Sequence, residues 1–225
     1  MESLSADEIA AWELGLGAPP PAPGRPDKLP LPGAAIGLRQ RVTTTTTRRR
    51  FYDLKNVPNA VALVRPLPEE NETVHALMPG NFAAWDLTPA ILQLVGRPAE
   101  EACVATLGFN SKNAHHLAEL IATGQIRRVT VLASDYFARS NPGTFNEARA
   151  SLEALGQRLV SYRNHAKILA LDFGEAGAFV VEMSANLRSC NNIEQVALSR
   201  SRQLFDFHAG WIRQLANTPP NRPTT

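Results

Sequence analysis

Residues 165–194, HAKILALDFGEAGAFVVEMSANLRSCNNIE, hold two aliphatic runs separated by Gly174 and Gly177. The first, over 162–172, alternates and predicts a strand on which His165 and Lys167, two residues apart, share a face. The second, over 179–187, predicts its partner across the glycine turn, with Ser184 and Asn186 likewise on one face. Together they would present an imidazole, an ammonium, a hydroxyl and an amide to one spot. That set suits an anionic tetrahedral group, with donors for its oxygens and a nitrogen nucleophile beside them. A lone histidine in a strand is more often structural than catalytic, and Ser or Asn beside a turn commonly bonds the backbone. Four polar side chains on one face amid apolar neighbours are what mark this stretch as a site. Asp172, an odd number of residues from His165, is expected to face away and order the turn.

His165, Lys167 and Asp172 fit the pattern H-x-K-(x)4-D. With 5 His, 4 Lys and 7 Asp in 225 residues, about 0.003 accidental matches are expected. The pattern is the signature of the phospholipase D superfamily, and the chain resembles its single-motif members, the small bacterial endonucleases. Ser184-Ala185-Asn186 is similar to their G-S-x-N segment, with Met183 in place of the glycine, and Glu194 falls near their acidic residue. The resemblance covers about residues 74–215 and is specific over 165–194.

It implies a phosphodiesterase whose catalytic set is His165, Lys167, Asp172, Ser184, Asn186 and Glu194, with no metal and no cofactor. Lys167, Ser184 and Asn186 would bind the substrate's oxygens, and Glu194 would orient His165. The family's site uses two such motifs, and this chain has one: His75, His115, His116 and His208 lack a lysine two residues on. The resemblance therefore implies a homodimer in which one His165 becomes a phosphohistidine and its twin serves as acid and then base. Three substrate classes stay open. Nucleic acid comes first; a lipid or small phosphodiester is second; a catalytically silent phosphate-binding module is third.

Composition narrows the setting. A formal charge of +2 does not by itself announce nucleic acid, though 19 Arg against 4 Lys favours fork-like contacts to phosphate. Arg48–Arg50, Arg127, Arg128, Arg139, Arg188, Arg200 and Arg202 are candidates for a basic track, and Asp135-Tyr136-Phe137 for a loop at the site. Cys103 and Cys190 lack metal-ligand spacing, and no signal peptide or 18-residue apolar run is evident, so the expectation is a cytoplasmic protein without a membrane span.

Residues 1–50 read as a disordered Pro/Thr/Arg-rich tail with a short helix over 5–16, and the seven prolines between Ala18 and Ala34 suit extended backbone that a partner protein would grip. The domain is expected over 51–217, with a second tail over 218–225. Within it, strands are expected over 73–78, with 61–64 as a competitor, and over 102–109 and 127–133. Helices are expected to start at Thr88-Pro89, at Asn110 and at a Thr144/Glu147 capping box. Consecutive strands then follow from Arg158, and a last helix runs over 203–217. This order gives an α/β fold, a mixed and largely parallel sheet flanked by helices on both faces.

Overall fold

The computed structural model describes residues 46–51, 57–79, 82–187, 189–190 and 193–218. Eight strands make one sheet: β1 (Thr46–Phe51), β2 (Glu72–Pro79), β4 (Glu101–Thr106), β5 (Val129–Ser134), β6 (Arg158–Tyr162), β7 (Ile168–Asp172), β8 (Ala178–Met183) and β10 (Ile193–Arg200). Two short strands, β3 (Phe82–Ala83) and β9 (Ser189–Cys190), pair separately. The sheet order is β1-β2-β10-β8-β7-β4-β5-β6.

The α/β class and the mixed sheet are as the sequence predicts, but parallel pairing is not the larger share. The pairs β1–β2, β4–β5 and β5–β6 are parallel, whereas β2–β10, β10–β8, β8–β7 and β7–β4 are antiparallel. The reason lies after β6. Strands joined by short turns, β7 to β8 and β8 to β10, pair antiparallel, while the parallel neighbours β1–β2, β4–β5 and β5–β6 each have helical chain between them.

Among the described residues six α-helices accompany the sheet: α1 (Val57–Val64), α2 (Leu87–Val95), α3 (Ser111–Ala122), α4 (Asp135–Ser140), α5 (Pro142–Ala154) and α6 (Arg202–Asn217). Period-two alternation sorts the strand residues between two layers. Val104, Val131, Leu159, Leu169, Leu171 and Val181 belong to the core shared with Leu63, Ile91, Leu117 and Leu152 of α1, α2, α3 and α5. Their neighbours Cys103, Ala105, Leu132, Ala170 and Val180, equally buried, point to the other side. There α6 packs on β4–β8 and buries Leu204, Phe205, Ala209, Ile212 and Leu215. Each fully buried large apolar side chain contributes roughly 1.5–3 kcal/mol, so both layers are firmly attached. Beyond α6 the sheet lies open, and Leu77 and Ile193 are 37% and 73% exposed.

Several expected boundaries move. Residues 61–64 are helical, in α1. The helix expected from the Thr144/Glu147 box begins earlier, because Pro142 occupies its first turn, where a missing N–H costs nothing. Thr88 is buried inside the first turn of α2 and does not cap it, while Gly96 does close that helix in the left-handed conformation. Asn110 caps α3, its side chain accepting from Asn113 N at 2.9 Å. Thr46–Arg50, expected as the end of the tail, lie in β1. The remainder of that tail, its helix over 5–16, the proline-rich stretch and residues 219–225 lie outside the described residues.

Candidate active site

Strand directions decide what meets at the site. Because β7 runs antiparallel to β4 and β8, its start lies with the ends of β4, β5, β6 and β8 and the start of β10. Asn110 and Lys112 follow β4 at this end, and Asp135-Tyr136-Phe137 follow β5.

His165 and Lys167 do not sit on a strand, contrary to the expectation over 162–172. β6 stops at Tyr162 and β7 begins at Ile168, with residues 163–167 as a link between them. Two strands, β4 and β5, stand between β6 and β7. The link must therefore cross about 14 Å laterally, three interstrand spacings, and six residue steps reach about 20 Å when extended. Asn164 pins this crossing to the strands beneath. Its Nδ2 donates to Thr106 O at 3.3 Å and Leu132 O at 3.2 Å, and its Oδ1 accepts from Ala166 N at 2.8 Å. With Asn164 turned toward the strand ends, Arg163 and His165 are exposed on the other side.

Lys167 still meets the imidazole. Its Nζ lies 3.0 Å from His165 Nδ1 and 3.4 Å from Nε2. With the two distances nearly equal, the ammonium stands over the ring face and not on the lone pair of either nitrogen. A bound phosphate would draw the ammonium to its own oxygens.

Ser184 and Asn186 follow β8 and reach the same end. Ser184 prolongs the pairing with β10: its N–H donates to Gln195 O at 3.1 Å, and its Oγ accepts from Gln195 N at 3.0 Å. The hydroxyl also donates to Glu194 Oε2. Glu194 thus takes the serine proton and Gln195 N–H one lone pair, so Ser184 has a single lone pair, not a donor, left for anything that binds. Asn186 is half-buried, and its Oδ1 is enclosed with no hydrogen-bond partner among the described residues. Turning the amide over would exchange this oxygen for the Nδ2 donor that an anionic oxygen needs. Met183, at the position of the relatives' glycine, is partly buried and packs against the core. Its N–H donates to Lys167 O at 3.2 Å, tying the two halves together.

Asp172 lies at the far end of β7, away from this group. Its Oδ1 accepts from Gly174 N at 2.8 Å and from Arg202 Nη2 at 2.5 Å. The hydrogen bond from Arg202 holds its carboxyl below the usual carboxylate range, and burial works the other way. Several arginines of the expected basic track are also at that end and already engaged. Arg127 pairs with Glu100 at 2.8 Å, Arg128 with Glu101 at 3.4 Å and Arg200 with Glu70 at 3.4 Å. Strand direction explains this, since residues that precede β5 or end β10 fall opposite the carboxyl ends of β4–β6.

Sequence reasoning missed Asn164 and Arg163. Asn164 carries a signal in hindsight, because an amide before an extended crossing has strand-end carbonyls within reach. Among the described residues no cluster of three or more His, Cys, Asp or Glu is arranged to hold a metal ion, and no helix is long and apolar enough to cross a membrane.

No family model and no curated protein matches this sequence. Among solved structures the chain is similar to polyphosphate kinase from Porphyromonas gingivalis, with a TM-score of 0.45 and 13% identity, over 67% of this chain and 27% of that one. It is also similar to phosphatidylserine synthase from Haemophilus influenzae Rd KW20, with a TM-score of 0.41 and 15% identity, over 63% of this chain and 38% of that one. The chain therefore spans well under half the length of either.

Proposed function

We propose that this chain is a metal-independent phosphodiesterase of the phospholipase D superfamily, acting on nucleic acid as a homodimer. The observation that carries the reading is the exposed His165 with Lys167 Nζ 3.0 Å from its Nδ1, on a link pinned across the strand ends at the end of the sheet where Ser184 and Asn186 follow β8. In the proposed mechanism a neutral His165 attacks phosphorus and a P–N bond forms as the P–O bond to the leaving group breaks. The protonated His165 of the partner subunit gives its proton to the departing oxygen, then takes one from the water that attacks the phosphohistidine. Lys167 and Asn186 hold the nonbridging oxygens as negative charge builds. Glu194 acts through Ser184, keeping the end of β8 against β10. An imidazole titrates near pH 6.5 when unperturbed, so neutral and charged partners coexist near neutrality.

One feature favours the lipid or small-diester reading: Ile193, at the start of β10 and so at the same end of the sheet, is 73% exposed. The experiment is cleavage of plasmid DNA and of bis(p-nitrophenyl) phosphate in excess EDTA, with sizing of the protein. Both substrates should be cut by a dimer, and His165→Ala should lose at least about 10³-fold in rate. Cleavage of the small ester alone would move the assignment to the second reading. Activity that EDTA removes, or a fully active monomer, would refute the mechanism.

A further inference from the structure

Arg163 stands two residues before His165 on the pinned link, is exposed, and makes no hydrogen bond or ion pair among the described residues. Arg97, at the opposite end of the sheet, and Arg139 share this state among the described residues, whereas most of the other described arginines are engaged. Arg127, Arg128, Arg200, Arg202 and Arg213 are each held by a carboxylate, and Arg158 donates to Asn217 Oδ1 at 2.5 Å. Arg163, at a bend, and His165 are both exposed and flank Asn164, whose side chain is turned to the strand ends, so their backbones are at most about 7 Å apart. Two further exposed cations without ion-pair partners among the described residues, Arg139 of α4 and Lys112 of α3, lie on the segments that follow β5 and β4 at this end.

We infer that Arg163 binds the phosphate next to the scissile one, so that a nucleic-acid strand runs from His165 over the ends of β4 and β5, past Lys112 and Arg139. The inference rests on the phosphodiesterase reading and names the path and the substrate class. A lipid or small diester has a single phosphate and nothing to place at Arg163. A polynucleotide has a phosphate at each successive nucleotide, within reach of a long guanidinium that forks onto two oxygens. The path leads away from the apolar Ile193 side, toward the helices that follow β4 and β5 and carry the exposed Lys112 and Arg139.

The test compares the full chain with Arg163→Ala and Arg163→Lys on two probes, a labelled single-stranded DNA oligonucleotide and bis(p-nitrophenyl) phosphate. Arg163→Ala should lose about tenfold more kcat/KM on the oligonucleotide than on the ester, through KM. Arg163→Lys should recover much of that loss. Equal losses on both probes, or none on the oligonucleotide, would overturn the inference. Should the wild type cut neither probe, the catalytic reading fails by itself, and oligonucleotide binding then decides the inference. Removal of one phosphate contact lowers the slope of log affinity against log salt by about 0.7 for a single strand; an unchanged slope would reject Arg163 as a contact.

Discussion

The two ends of the sheet are built from similar side chains used in opposite ways. At the Asp172 end, charges are matched inside the molecule. Glu101, with only 9% of its side chain exposed, is gripped by Arg213 at 2.5 Å and met by Arg128 at 3.4 Å, and Asp172 is gripped by Arg202. The same Glu101 accepts from the Cys103 thiol at 3.4 Å, and burial, with that carboxylate beside it, pushes the thiol up to about 12. At the His165 end Lys167 Nζ stands against the His165 ring, and Arg163 is exposed with no hydrogen bond or ion pair among the described residues. A cation answered by a carboxylate within the fold is spent on holding elements together. One left unanswered is available to an anion from outside.

Three substitutions break or sharpen this contrast. The largest effect is expected at Asn164. Asn164→Ala removes the pins to Thr106 O and Leu132 O, and a displacement of about 1 Å at a reacting group costs on the order of 100-fold. Turnover should fall by about that factor while the melting transition shifts little; unchanged turnover would show that the pin does not position His165. Next is Glu101→Ala, at the matched end. It strands Arg213 beside the core and should cost about 2 kcal/mol in urea unfolding, a value set below the usual 3–5 for a fully buried pair because Arg213 is 42% exposed. Phosphodiester cleavage well below the transition should stay near wild type, and a parallel loss of activity would mean the two ends are coupled.

The smallest effect is expected at Arg202. Asp172 has a folded-state pKa below its ordinary 3.8 because Arg202 donates to it, so its stabilising contribution is present above that value and disappears as pH falls through the folded one. Arg202→Ala should cost about 1 kcal/mol near neutrality, discounted for solvent at the 41%-exposed guanidinium. The difference from wild type should close in acid. A penalty that persists at low pH would assign the effect to the Arg202 stack on Phe205, 5.3 Å from its ring.

Sequence alone carried the hairpin well. The aliphatic runs, the glycines between them and the polar residues two apart were enough to bring His165, Lys167, Ser184 and Asn186 to one end, because antiparallel pairing across a short turn leaves little choice. It did not reveal where the first strand stops. Alternation continues through Arg163 and His165 although they leave the sheet, since an extended link and a strand share the same period. Nor did it reveal that Arg127 and Arg128 sit opposite the site, which depends on strand direction. The order of strands was hidden as well: β7, β8 and β10 insert between β2 and β4, a long-range pairing that no local pattern encodes.

Asn164 grips main-chain oxygens. Every residue type offers the same carbonyl, so Leu132 can drift to other amino acids of suitable size without moving the imidazole above it, while Thr106 is held besides by its hydroxyl's bonds to Gly108. The amide itself has no such latitude, since its bonds to Thr106, Leu132 and Ala166 require an acceptor and a donor on one short stem. Over evolutionary time the Leu132 side of the foundation can therefore vary widely while this one position stays fixed.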